Sequence, residues 1–151
     1  MTSRSRLASL GTVLALLATS QAPAQEARRY IVPRTPADTA LTPFSGAVLA
    51  GNTLYLSGKI GLTPDRKVPG SAAEEARNVL DDVKATLTAA GMTMDDLVSV
   101  QIFCSDVSHY DAFNRVYRTY FTREFPARAF IGSGALLFGA RFEVQAIAVK
   151  R

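Results

Sequence analysis

Two polar side chains stand in apolar strand patterns and could act together on a small acid. Arg128 lies between Ala127 and Ala129, directly after Pro126, so its guanidinium rises among small, apolar neighbours. A guanidinium grips a planar carboxylate through two parallel N–H donors. Glu143 is the one acid in the last strand pattern, between Phe142 and Val144. A carboxylate in a partly dry cleft can hold a water molecule and exchange protons with it. Taken singly, Arg128 also fits a surface arginine or a structural ion pair, and Glu143 an exposed strand glutamate. Other chemistries find few residues. The single cysteine, Cys104, and the single histidine, His109, cannot make a zinc site or an intrachain disulfide, and they are a poor basis for a Cys-His nucleophile pair. Cys104 sits in an apolar strand pattern and reads as a buried, inert thiol. No Gly-rich phosphate loop, metal-ligand spacing or serine elbow is present, so candidate chemistry must come from isolated polar residues on strands. The paired acids Asp81-Asp82 and Asp95-Asp96 read as a solvated helix face and a helix-like turn.

The chain that must position these residues has 151 of them, 48% hydrophobic and 20% charged, enough for one domain with one core. Arg4 and Arg6 precede an apolar run from Leu7 to Ala18, and Ala22-Pro23-Ala24 then offers a small-x-small cleavage pattern. Residues 1–24 are therefore expected to be a cleaved signal peptide, and residues 25–151 an exported domain, periplasmic or secreted. The apolar run is too short to span a bilayer, so no stable membrane association is expected after cleavage. Cleavage would remove two of the 17 basic residues and none of the 13 acidic ones, leaving a formal charge of +2. A charge this small, with no Lys/Arg cluster, argues against a nucleic-acid partner.

Along the mature chain the pattern predicts β-(ββ)-α-β-α-β-β. Residues Gln25 to Thr42, with Pro33 and Pro36, read as an extended lead-in with a short strand over Arg29–Val32. Ala47–Ala50 and Thr53–Ser57 flank a Gly51-Asn52 turn, where both residues tolerate the positive φ such turns use. Ser71 and Glu74 form a capping-box signature before Ala76, Val79, Leu80, Val83, Leu87 and Ala90 at helical spacing, and Gly91 is placed as the C′ glycine. Val98–Cys104 reads as a strand. Ser108 with Asp111 is expected to cap a second helix, on which Tyr110, Phe113, Tyr117 and Tyr120 form a stripe read as core. Ala127–Gly132 and Arg141–Lys150 close the pattern; in the latter Phe142, Val144, Ala146 and Ala148 point one way and Glu143, Gln145, Ile147 and Val149 the other. This order gives an α+β fold, one mixed sheet with two helices on one face. Apolar residues on both faces of the later strands leave one face to be covered, most simply by oligomerisation.

These segments resemble the Rid family, also called the YjgF or reactive intermediate/imine deaminase family, from about Pro43 to Arg151. The resemblance is carried by Pro126-Ala127-Arg128-Ala129-Phe130-Ile131-Gly132 followed by Phe142-Glu143-Val144, with Arg128 and Glu143 15 positions apart. It is also carried by Gly51 to Ile60, Asn78 to Lys84, Ala89-Ala90-Gly91, Asn114 with Tyr117, and Ala146 to Val149. The resemblance implies a single chorismate-mutase-like (YjgF-type) domain, assembled as a homotrimer with clefts between subunits. It implies a 2-iminobutanoate/2-iminopropanoate-type deaminase, converting 2-enamines or 2-imino acids to 2-keto acids and ammonia without a cofactor. It places Arg128 on the substrate carboxylate and Glu143 beside the attacking water, with Phe44, Ser57, Gly58, Asn114 and Phe130 in the cleft wall. Two positions depart from the pattern: Phe44 stands where tyrosine is preferred, and Phe130 where a smaller residue is common. The segment Ala135–Ala140, with Leu136, Leu137 and Phe138, is also more apolar than usual. Together they point to altered substrate choice, or to a trimeric small-carboxylate-binding module without turnover.

Overall fold

The structure, a computed structural model, describes residues 28–31 and 43–151. The expected signal peptide and the segment with Pro33 and Pro36 lie outside the described residues. Six strands form one sheet: β1 (Arg29–Ile31), β2 (Ala47–Ala50), β3 (Thr53–Ile60), β4 (Leu97–Cys104), β5 (Ala127–Gly132) and β6 (Phe142–Val149). Their spatial order is β1-β2-β3-β6-β4-β5, and only the β4–β5 pair is parallel. The sheet is mixed, as expected, with α1 (Ala72–Ala89) and α2 (Tyr110–Tyr117) packed against each other on one face. No helix among the described residues is long and apolar enough to cross a membrane.

Local sequence explains the elements. Ser71 caps α1 by accepting a hydrogen bond from the Glu74 N–H at 3.2 Å, and Gly91 takes φ +75° just past the Ala90 C-cap. The helix buries Ala76, Val79, Leu80, Val83 and Leu87 against Leu54, Leu56, Val100, Ile102, Phe142 and Val144 from the sheet. Each fully buried Val or Leu contributes about 1.5–3 kcal/mol. Cys104 belongs to this core, where burial pushes its thiol pKa up.

Three local expectations change. Of the Gly51-Asn52 turn only Gly51 adopts positive φ. Ser108 does not cap α2: Asp106 accepts from the Ser108 N–H at 2.9 Å and starts a one-turn 3-10 segment, Val107–His109, that runs into the helix. Asp106 succeeds because it is already extended, while Ser108 is inside the turn. The paired acids are only partly solvated. Asp82 binds Lys59, itself buried, at 3.3 Å, and Asp81 accepts from the Tyr120 hydroxyl at 2.8 Å. Asp96 closes a reciprocal cap with Thr93, and Asp95 accepts from the Thr122 N–H.

The opposite face of the sheet carries no helix. Tyr55 is 51% exposed there, beside exposed Gln101 and Gln145 and partly exposed Ile147.

The first turn of α1 and the start of the last strand are joined by a buried carboxylate. Glu75 is fully buried and accepts from the backbone N–H groups of Arg141 (2.5 Å) and Phe142 (3.1 Å) and from Arg141 Nη1 (2.8 Å). Arg141 Nη1 also donates to the Pro69 carbonyl at 2.9 Å. Removing one member of a buried, hydrogen-bonded ion pair typically costs about 3–5 kcal/mol. Glu75→Ala is expected to lose stability in that range by urea unfolding. Glu75→Gln, which keeps an acceptor for the two backbone donors, is expected to lose less than half as much. Equal losses would show that the charge on Arg141, not the backbone, is what Glu75 serves.

Candidate active site

Arg128 lies on edge strand β5, in register with Val100 of β4. Val100 and Ile102 are buried beneath the helices, so the parallel pairing turns Arg128 and Phe130 to that same face. Arg128 Nη1 donates to Asn114 Oδ1 of α2 at 2.8 Å. Its guanidinium carbon sits 4.7 Å from the Tyr117 ring centre and 5.9 Å from those of Tyr110 and Phe130. Three ring contacts and one hydrogen bond hold the guanidinium plane. Among the described residues that is its one hydrogen bond, which leaves a donor edge for a carboxylate.

Glu143 lies on β6, between Ile60 of β3 and Phe103 of β4. Its neighbours Phe142 and Val144 are buried under the helices, so Glu143 faces the open side. β3 carries a bulge opposite this strand: Leu56 pairs with Ala146 and Lys59 with Val144, so one residue is extra between them. Leu56 and Lys59 both remain buried, and Ser57 and Gly58 are set out at the bulge. The Glu143 carboxylate lies over Gly58: a Cβ there would fall 1.8 Å from Oε1. Ser57 donates to the Gly46 carbonyl through its hydroxyl at 2.9 Å, and Phe44, two residues before Gly46, is 58% exposed.

The residues singled out in the sequence therefore fall into two groups. Arg128, Asn114 and Phe130 gather on the helix side at one edge. Glu143, Gly58 and Ser57 gather on the open side. Through β4, Arg128 is level with Ala146, three residues from Glu143 and two strands away. That is roughly 10 Å along and 10 Å across the sheet, with the side chains on opposite faces. One chain does not bring Arg128 and Glu143 together.

The aromatic stripe of α2 divides. Phe113 and Tyr117 are buried, but Tyr110 is 45% exposed and flanks Arg128, so it is a wall of the site rather than core. No sequence signal separated it from Tyr117, which carries the same hydroxyl and is buried. Phe130 packs edge-on to Tyr110 and Phe113 at 5.0 and 5.7 Å. Glu75 was also missed, although its position four before Val79 places it on the buried stripe of α1. In the apolar loop, Leu137 and Phe138 are 67% and 62% exposed, and Arg66 lies over the Phe138 ring at 5.3 Å.

A family profile described as endoribonuclease L-PSP matches residues 35–150. A goat protein named 2-iminobutanoate/2-iminopropanoate deaminase is 39% identical over 124 residues, covering 81% of this chain and 90% of its own. The crystal structure of the Escherichia coli YjgF gene product aligns with a TM-score of 0.73 at 34% identity, over 82% of this chain and 99% of that one. The structure of Escherichia coli TdcF with bound serine aligns with a TM-score of 0.70 at 28% identity, over 74% and 91%.

The contact between Gly58 and Glu143 gives a direct test of the open-side group. Gly58→Ala is expected to swing the Glu143 side chain away at a cost near 1 kcal/mol, the low end for overpacking, because a half-buried carboxylate can move. A crystal structure of the variant would show the carboxylate displaced. An unmoved carboxylate with a loss of about 3 kcal/mol would mean that its surroundings lock it in place.

Proposed function

The chain belongs to the endoribonuclease L-PSP (Rid) family, and we propose that it is a hydrolytic deaminase converting 2-enamines and 2-imino acids to 2-keto acids and ammonia. The observation that carries this reading is the pair of prepared half-sites. One is a guanidinium held in plane with a free donor edge; the other is a carboxylate seated on a glycine at a strand bulge. The relatives' names support it, and TdcF, with its bound serine, shows that this fold can hold a small amino acid.

The chemistry needs little more. Arg128 anchors the substrate carboxylate and so fixes the position of C2. A protonated imine carbon is already electrophilic, so the protein must place one water and manage protons. Glu143 orients the water. As its oxygen bonds to C2, a water proton passes to the carboxylate. Glu143 returns that proton to the nitrogen; as the C–N bond breaks, the carboxylate takes the C2 hydroxyl proton so that the carbonyl forms, and it passes that proton to the departing ammonia, which leaves as ammonium. An enamine is first protonated at its β-carbon to give the same imine. No covalent nucleophile is required.

Since one chain keeps Arg128 and Glu143 on opposite faces, the reading includes a homotrimer in which each cleft joins the Arg128 side of one subunit to the Glu143 side of the next. The open sheet face, with Tyr55 and Ile147 showing, supports such packing. Export with cleavage after Ala24, to the periplasm or outside the cell, is part of the proposal on the strength of the leader pattern alone. A second reading, small-carboxylate binding without turnover, is favoured by one observation: exposed Phe44 offers the cleft no hydroxyl.

The test supplies 2-imino acids from an L-amino-acid oxidase and follows their loss. Arg128→Ala and Glu143→Gln are each expected to lose at least 100-fold in rate, the lower range for a positioned proton-transfer group. Co-expressed at equal levels, the two inactive chains are expected to recover about one quarter of wild-type activity, the fraction of clefts that receive both intact residues. Full activity of Arg128→Ala would sink the assignment. Absence of recovery would reject the shared cleft. Tight keto-acid binding with no ammonia release would favour the binding module.

A further inference from the structure

We propose that the hollow beside Arg128 is a side-chain subsite that selects aromatic 2-imino acids over small aliphatic ones. This rests on the deaminase reading and names its substrate class. The hollow measures about 240 Å³ and is lined by Tyr110, Tyr117, Phe125 and Pro126 together with the polar Asn114, Arg118 and Arg128. A dry cavity of roughly 150 Å³ already takes a benzene ring, so a phenyl or hydroxyphenyl group fits with room for the atoms that join it to the carboxylate.

The walls are set in advance. Phe125 stacks on Tyr117 at 6.1 Å with 23° between planes, and its edge meets Phe121 at 5.4 Å. Tyr110 is held edge-on to Phe130 at 5.0 Å. Yet Phe125 and Tyr110 remain 56% and 45% exposed. Rings fixed from behind and bare in front offer a stacking surface that loses little entropy when a third ring arrives. A carboxylate on the free edge of Arg128 would hold its own side chain a few ångströms from these rings. A methyl or ethyl side chain would leave most of that surface uncovered.

The hydroxyl of Tyr117 gives a second, independent indication. Tyr117 is 3% exposed, and its hydroxyl is the one buried side-chain polar atom among the described residues without a hydrogen-bond partner. Buried polar groups are nearly always paired, and an orphan calls for a reason. Burial pushes this phenol up to about 12, against the opposing pull of Arg128, so it is neutral at physiological pH and available as a donor. In this proposal the missing acceptor is assigned to the ligand.

Two measurements on the purified protein test this, the second of them independent of turnover. In the first, imines generated from phenylalanine and from alanine are compared by kcat/KM, and the aromatic one is expected to be favoured at least 10-fold. In the second, the stable products are compared by calorimetry, and phenylpyruvate is expected to bind at least 10-fold more tightly than pyruvate. Phe125→Ala should bring both ratios close to one. Tyr117→Phe should weaken phenylpyruvate binding without lowering Tm, since it removes an unpaired hydroxyl. A preference for phenylpyruvate without turnover of any imine would uphold the subsite and overturn the deaminase reading. Equal binding of the two keto acids, or a Phe125→Ala variant that changes the oligomeric state and leaves both ratios intact, would overturn the subsite.

Discussion

A buried carboxylate on the first turns of α1 decides where the last strand begins. Glu75 is removed from water, which for a lone charge would be prohibitive. It is tolerated because three donors converge on it: two successive backbone N–H groups, of Arg141 and Phe142, and the Arg141 guanidinium. The geometry runs in both directions. The N-terminal end of α1 also favours negative charge through its dipole. Glu143 follows Phe142 directly, so the atom that fixes the start of β6 also sets the register that puts Glu143 over Gly58. A hydrophobic residue at position 75 could fill the space, but it would leave two backbone donors without acceptors.

The Arg128 side is organised by a different kind of force. Aromatic faces hold the guanidinium, at about 0.5–2 kcal/mol for each good contact depending on how dry it is. Asn114 then fixes its rotation with one hydrogen bond. Such a group is oriented before any ligand arrives, so less ordering remains to oppose binding. The bulge in β3 performs the matching service on the other side, setting out Ser57 and Gly58 while Leu56 and Lys59 stay buried on either side of them.

Most of the architecture was legible in the sequence because it is written in short-range periodicity. The alternation from Phe142 to Val149 and the helical spacing from Ala76 to Ala90 need no distant information, and β5 was bounded to the residue. The facing of Arg128 was not legible. Ala127-Arg128-Ala129-Phe130-Ile131-Gly132 shows no clean alternation, so its orientation comes from parallel register with β4, a contact across some 28 positions of chain. The start of α2 was misplaced for a related reason. Asp106 and Ser108 are both good caps, and the choice between them depends on where β4 releases the backbone. Glu75 was passed over because acids at a helix start are ordinarily read as solvated; its burial is dictated by Arg141, 66 residues away.

The opposed facing of Arg128 and Glu143 has a consequence beyond the geometry of a cleft. On the proposed mechanism both residues must act on one substrate molecule, which requires two chains, so a single chain would be inert however well it folds. Activity then becomes a matter of mass action, following the association constant of the assembly as well as the turnover of each cleft. Below that concentration the protein would be silent without any inhibitor. A damaged copy would matter to its neighbours, since each defective face spoils a cleft that another chain has half completed.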